Sequence, residues 1–212
     1  MSPPATTGAL VLLASWKSRP DSASFLRDTV RQVASGLTHI HSLNILHRDI
    51  KPNNIVFHST NPVHAIIVDF GCSESSSTSM RHHRGTITYL APEVMGVKQG
   101  VSSQPFSFPS DIWSLGVTLV DFLVGKQFHR QLGKAAVYQT FQKTMATNTN
   151  KLDYPEFWDL VLELLAWDAE ARPTAMEVAQ RFPDQVQMRV NQDSRRASTG
   201  EESSAKREKL QI

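Results

Sequence analysis

The chain has 212 residues, 40% hydrophobic and 20% charged, a composition that supports a folded domain with a sizeable core and excludes wholesale disorder. Lys and Arg number 22 against 20 Asp and Glu, and the formal charge of +2 is too close to neutral for the broad basic footprint of a nucleic-acid or anionic-membrane partner. Cys72 is the single cysteine, which excludes an intrachain disulfide and the multi-cysteine zinc patterns and suits a reducing, intracellular setting, cytoplasmic or nuclear.

No apolar stretch approaches the roughly 20 residues needed to span a bilayer. The early apolar run at residues 8–16 has no positive charge before it and fits a signal peptide poorly. Within it, residues 10–13 read as a short buried strand, followed by a polar connector to Asp21. Phe25, Leu26, Val30, Val33, Leu37 and Ile40 then recur at three- and four-residue spacing, which predicts an amphipathic helix over 24–42 with capping candidates at 21–24. Two β-like runs, 54–57 and 65–68, flank the turn-prone Ser59-Thr60-Asn61-Pro62 and predict a small hairpin.

The Ser/Thr-rich residues 73–79 and the Gly- and Pro-bearing residues 96–109 read as exposed irregular segments. Ser110 and Asp111 open a segment, 112–124, that is apolar on most faces, hence a buried helix with Gly125 placed to end it. Further helices are expected at 135–145, 155–167 and 175–182, the last begun by Arg172-Pro173-Thr174. Beyond Pro183 apolar residues thin out and a disordered tail is expected. His82 and His83 read as solvated loop residues, and Cys72 as a packed thiol.

The chemistry concentrates in His47-Arg48-Asp49-Ile50-Lys51-Pro52-Asn53-Asn54, between the long helix and the hairpin. A carboxylate, a lysine and an amide so close together suit phosphoryl transfer, where a hydroxyl must be oriented, phosphate charge offset and Mg²⁺ held. At the end of the hairpin, Asp69-Phe70-Gly71 offers a second oxygen ligand beside a flexible glycine.

These segments resemble the catalytic-loop H-R-D-x-x-x-x-N and D-F-G motifs of the eukaryotic protein kinases. Ala91-Pro92-Glu93 stands where that family has A-P-E, preceded by Gly85-Thr86 and Tyr89. Asp111-Ile112-Trp113-Ser114-Leu115-Gly116 and Arg172-Pro173 resemble two later landmarks. Lys51 and Gly85-Thr86 are similar to the serine/threonine branch.

The resemblance implies a mainly α fold with a small β-hairpin: the large lobe of a protein-kinase fold, over 22–183, with the small lobe missing. Residues 1–21 would be a remnant of the last small-lobe strand and hinge, with Leu13 and Ser15 at nucleotide-binding positions, and 184–212 a charged tail. Asp49 would accept or orient the substrate hydroxyl, Lys51 would contact the transferring phosphate, and Asn54 and Asp69 would hold Mg²⁺ for ATP. His47, Arg48, Glu93, Asp111 and Arg172 would support the fold. Arg48 would meet a phosphorylated residue of the following segment, where Ser75, Ser76, Ser77, Thr78 and Ser79 offer acceptors. Ser198, after Arg195-Arg196-Ala197, resembles a site for basic-directed kinases.

The implied partners are a protein substrate and a separate small lobe or regulatory protein, with no nucleic acid or membrane. No G-x-G-x-x-G and no V-A-I-K precedes His47. Beside a serine/threonine kinase, two other readings therefore stand: a kinase-like binding or scaffold module, and a fragment of a longer kinase.

Overall fold

Strand β1 (Thr7–Gly8) opens the described part of the chain and passes at once into one helical turn, α1 (Ala9–Leu12). The structure, a computed structural model, describes residues 7–80, 85–98, 105–125 and 154–183. The strand expected at residues 10–13 is thereby corrected. Ala9 and Leu13, four apart, are 0% and 3% exposed while Val11 between them is 70% exposed, which is helical spacing; a strand would point all three the same way. A 3₁₀ turn, Trp16–Ser18, then buries the Trp16 indole, whose Nε1–H donates to the Phe122 carbonyl at 2.7 Å.

Helix α2 (Ser22–Ser42) buries Phe25, Leu26, Val30, Val33, Ala34, Leu37 and Ile40 on one face, the expected stripe. Asp21 precedes it without capping through its side chain, because Arg19 holds both carboxylate oxygens at 2.9 Å. Strand β2 (Ile45–Leu46) follows, then the hairpin β3 (Ile55–Thr60) and β4 (Val63–Ile67). With β1 it forms an antiparallel sheet in the order β1-β3-β4, in which Val56 faces Gly8 on one side and Ile66 on the other. Gln32 of α2 completes the edge of β4: its Nε2 donates to the Val63 carbonyl at 2.7 Å and its Oε1 accepts from the Ala65 N–H at 2.8 Å.

Residues 73–79 are not simply an exposed loop. Strand β5 (Glu74–Ser75) pairs with β2, and β6 (Thr78–Ser79) pairs with β7 (Phe106–Ser107), burying Ser79 and Phe106. The irregular reading of 96–109 is corrected at both ends. Helix α3 (Pro92–Lys98) occupies its start, and the buried helix α4 (Phe108–Val124) begins before Ser110. Pro109 is tolerated there because the first helical turn has no intrahelical partner for its N–H. The other end of α4 is Gly125, whose φ of 80° is left-handed and whose N–H returns to the Asp121 and Phe122 carbonyls.

Helix α5 (Pro155–Leu164) packs on α4, and α6 (Ala175–Arg181), capped reciprocally by Thr174 and Glu177, packs on α2. Among the described residues no helix is long and apolar enough to cross a membrane. The helix expected at 135–145, the tail with Ser198, and His82 and His83 lie outside the described residues.

Gly116 sets the approach of α4 and α5, since a Cβ there would lie 2.8 Å from Leu165 Cδ2 and 2.9 Å from Leu164 Cβ. Gly116→Val should therefore lower stability by about 1–3 kcal/mol through overpacking. A urea midpoint equal to that of the native chain would show that the two helices do not pack this closely.

Candidate active site

The loop at residues 47–54, where the sequence places the candidate chemistry, has little regular structure of its own and is held from α4. Asp111 is 1% exposed; its Oδ1 accepts from the Arg48 N–H at 2.8 Å and its Oδ2 from the His47 N–H at 2.9 Å. Oδ2 also lies 3.0 Å from His41 Nε2, whose ring stacks on Phe108. Arg48 adopts a left-handed φ of 68°, a conformation that costs a non-glycine residue about 1–3 kcal/mol and that two charge-assisted bonds offset. Gly85 meets this loop closely: its φ is 87°, and a Cβ would sit 2.5 Å from the Arg48 carbonyl oxygen.

Asp49 is 6% exposed and its carboxylate is saturated. Oδ1 accepts from the Thr86 N–H at 2.9 Å and the Thr86 hydroxyl at 2.7 Å, and Oδ2 from Lys51 Nζ at 2.6 Å and Asn54 Nδ2 at 2.9 Å. Burial pushes the Asp49 carboxyl up, but the hydrogen bonds from Lys51, Thr86 and Asn54, with the Lys51 charge, outweigh it and hold the group below its ordinary value. Asp49 is therefore ionised at neutral pH. Lys51 Nζ also donates to Thr86 Oγ1 at 2.7 Å, which places a cation between carboxylate and hydroxyl.

Asn54 spends its amide hydrogens on the Asp49 carbonyl and carboxylate, which leaves Oδ1 as an acceptor. Its own carbonyl accepts from the Val68 N–H at 2.9 Å, which ties the loop to the hairpin one residue before Asp69. Asp69 is exposed with a φ of 64°, and its Oδ1 accepts from the Gly71 N–H at 3.2 Å. The oxygens of Asn54 and Asp69 are hard donors, a set that fits Mg²⁺.

His47 is fully buried. The Asp49 N–H donates to its Nδ1 at 3.3 Å, so Nε2 carries the proton and donates to the Val68 carbonyl at 3.3 Å. Burial holds its pKa below the ordinary histidine value, against the pull of Asp111, the Val68 carbonyl, Asp49 and Asp69.

Glu93 and Arg172 form a bidentate pair at 2.8 and 2.9 Å. Arg172 also donates to the Pro109 and Ala166 carbonyls and lies over the Trp113 ring, which ties α3, α4 and the segment before α6 together.

In the unmodified chain Arg48, expected to meet a phosphorylated residue, is partnered within the following segment. Its Nη1 donates to the Glu74 carboxylate and to Ser79 Oγ, both at 2.7 Å. Ser79 is 4% exposed, so it is a buried partner rather than a surface acceptor, whereas Ser75, Ser77 and Thr78 are exposed and Ser76 is half-buried. Leu13 and Ser15 do not form an extended hinge. Leu13 packs in the core, and the Ser15 N–H and carbonyl are both used in turns, to Leu12 O at 3.0 Å and from Ser18 N at 3.1 Å. Sequence reasoning assigned no site role to Thr86, Glu74 or His41. Only the Gly85-Thr86 spacing offered a signal, since the partners of the other two lie far away in sequence.

A family model described as "Protein kinase domain" matches residues 10–182. Among curated proteins, an Aurora kinase of Debaryomyces hansenii is 36% identical over 153 residues, covering 70% of this chain and 35% of the relative. Serine/threonine-protein kinase 10 of Xenopus tropicalis is 28% identical over 158 residues, 72% of this chain and 16% of the relative. Mitogen-activated protein kinase kinase 7 of Arabidopsis thaliana is 40% identical over 98 residues, 45% of this chain and 31% of the relative. The matched part is thus about a third of these relatives' length or less.

Two outcomes follow from the buried charges. Glu93→Ala and Arg172→Ala should each cost about 3–5 kcal/mol by stranding a charge, and the double variant should cost less than their sum. Strictly additive losses in denaturant would show that the pair is not coupled. His47 takes up a proton less readily in the folded chain than when unfolded, so stability should fall as pH drops below about 6.5, and Asp49, whose carboxyl is held down in the folded chain, should add to the loss below about pH 4. The fall in urea midpoint between neutral and mildly acidic pH should flatten in His47→Gln; an unchanged slope would remove His47 as its cause.

Proposed function

The chain belongs to the eukaryotic protein kinase family, and from that membership we propose that it carries the phosphotransfer side of a serine/threonine kinase site, moving the γ-phosphate of ATP to protein hydroxyls. The observation that carries the reading is the Asp49-Lys51-Thr86-Asn54 cluster, an ionised carboxylate with a cation and a hydroxyl on it. Residues 22–183 would be the large lobe of the fold.

In this reading Asp49 orients the incoming serine or threonine hydroxyl and accepts its proton. The hydroxyl would displace one of the donors now on the carboxylate, and Thr86 and Lys51 are the two that a side-chain rotation can release. Lys51 offsets the negative charge that grows on the transferring group, and Thr86 fixes the lysine. Asn54 and Asp69 would hold Mg²⁺, which supplies charge neutralisation on the phosphates when bound. His47 keeps the backbone of Asp49 in register through its Nδ1, and Asp111 does the same for Arg48. The buried cations Arg48 and Arg172 serve geometry alone. The implied partner is a protein substrate, and the single cysteine supports a reducing compartment, cytoplasm or nucleus.

Because positioning of the phosphates makes up most of this catalysis, and the glycine-rich loop and its lysine are not among the 212 residues, turnover by the chain alone should be slow. Labelled ATP with Mg²⁺ and a basic protein substrate should give phosphoserine and phosphothreonine. Asp49→Asn should lower the rate by about a hundredfold or more, with the chain still folding cooperatively but melting at a lower temperature, because the amide also strips Lys51 of its counter-charge. Incorporation that is indifferent to Asp49, or phosphotyrosine as the product, would overturn the reading.

A further inference from the structure

Arg48 is the most deeply buried cation of the catalytic loop, 4% exposed, and what surrounds it comes from the segment after Phe70. Its Nε donates to the Cys72 carbonyl at 2.7 Å and its Nη1 to Glu74 Oε2 and Ser79 Oγ, both at 2.7 Å. The Ser79 hydroxyl turns to the same Glu74 carboxylate, and the guanidinium carbon lies 5.5 Å from the centre of the Phe106 ring. The backbone repeats the connection. Strand β5 pairs with β2, the strand that leads into His47, with Leu46 opposite Glu74. A guanidinium taken out of water is tolerated when a counter-charge and hydrogen bonds replace its hydration, and Glu74 brings a full charge to it.

We propose that Glu74 is the resident counter-ion of Arg48, a positioning residue whose carboxylate docks residues 72–79 on the catalytic loop with no phosphate on Ser75, Ser76, Ser77, Thr78 or Ser79. The docking stands on geometry alone; its consequence for turnover rests on the kinase reading above. Charge bookkeeping at the cluster supports it. Arg48 and Glu74 carry opposite charges in contact, and the Ser79 hydroxyl lies on both. A phosphoryl group on Ser79 would set about two more negative charges beside the Glu74 carboxylate, so the two anions would compete for the Arg48 guanidinium. The segment therefore docks when unmodified, and a phosphate in the cluster would loosen it.

The full chain, treated with phosphatase and checked by mass for loss of phosphate, is compared with Glu74→Gln, Glu74→Asp and Glu74→Ala by hydrogen exchange of peptides covering 45–54 and 72–79. The dephosphorylated native chain should keep its protection. Glu74→Gln, which keeps the shape and removes the charge, should exchange about tenfold faster in both regions, and Glu74→Asp should stay near the native rate. Millimolar inorganic phosphate should slow exchange in Glu74→Ala, where it can reach the vacated guanidinium, and should leave the native chain unaffected.

Three results would overturn the proposal: loss of protection on phosphatase treatment, Glu74→Gln exchanging like the native chain, or Glu74→Ala indifferent to phosphate. A parallel Asp49-dependent phosphate-transfer assay keeps the two ideas apart. An inactive native chain counts against the kinase reading, while the exchange data still decide the role of Glu74.

Discussion

A single buried carboxylate, that of Asp111, braces the loop at residues 47–54. The loop turns too sharply for helix or sheet, so its N–H groups must find partners elsewhere, and an unpaired buried N–H is costly. Asp111 takes two of them, from His47 and Arg48, and stands on a helix that is buried nearly all round. The loop thus inherits the rigidity of the core. The same carboxylate lets Arg48 keep a left-handed backbone: charge-assisted bonds to its own N–H and to that of the residue before it help to over-determine its shape.

The lysine and arginines in and around the site each sit in an ion pair: Lys51 with Asp49, Arg48 with Glu74, Arg172 with Glu93. Such pairs add little net stability compared with well-packed apolar groups, because desolvation consumes most of the attraction. Their value here is directional. Each fixes two chain segments at one distance and one angle, and each isolates its charge from the next. Asp49 can then remain ionised beside Lys51 without being drawn to the arginine next to it in sequence.

Long periodic segments were legible from sequence. The stripe from Phe25 to Ile40 and the apolar run after Asp111 specify helices because many residues repeat the same signal, and the spacing of Asp49, Lys51 and Asn54 marks side chains that the fold does bring together. Short elements were not. The four residues at 10–13 are too few to separate a helical face from strand alternation, and β5, β6 and β7 have two residues each, below any period. Ser79 and Glu74 were read as loop residues because composition weighs a residue by its neighbours in sequence, whereas Arg48, 26 and 31 positions away, decides their burial. Pro109 looks like a breaker in the sequence but sits in a first helical turn.

The contacts that build the site share one further property, their reach along the chain. Asp111 meets His47 across 64 residues, Arg172 meets Glu93 across 79, and the Trp16 indole meets the Phe122 carbonyl across 106. Closing loops of this length costs entropy before the contact returns anything, so such contacts form late and topologies rich in them fold slowly. During synthesis the loop at 47–54 leaves the ribosome well before the helix that braces it. Until α4 emerges, the N–H groups of His47 and Arg48 lack the carboxylate that braces them, and the nascent chain passes through an interval in which the loop at 47–54 can form its own short-range pairs but not its anchored shape.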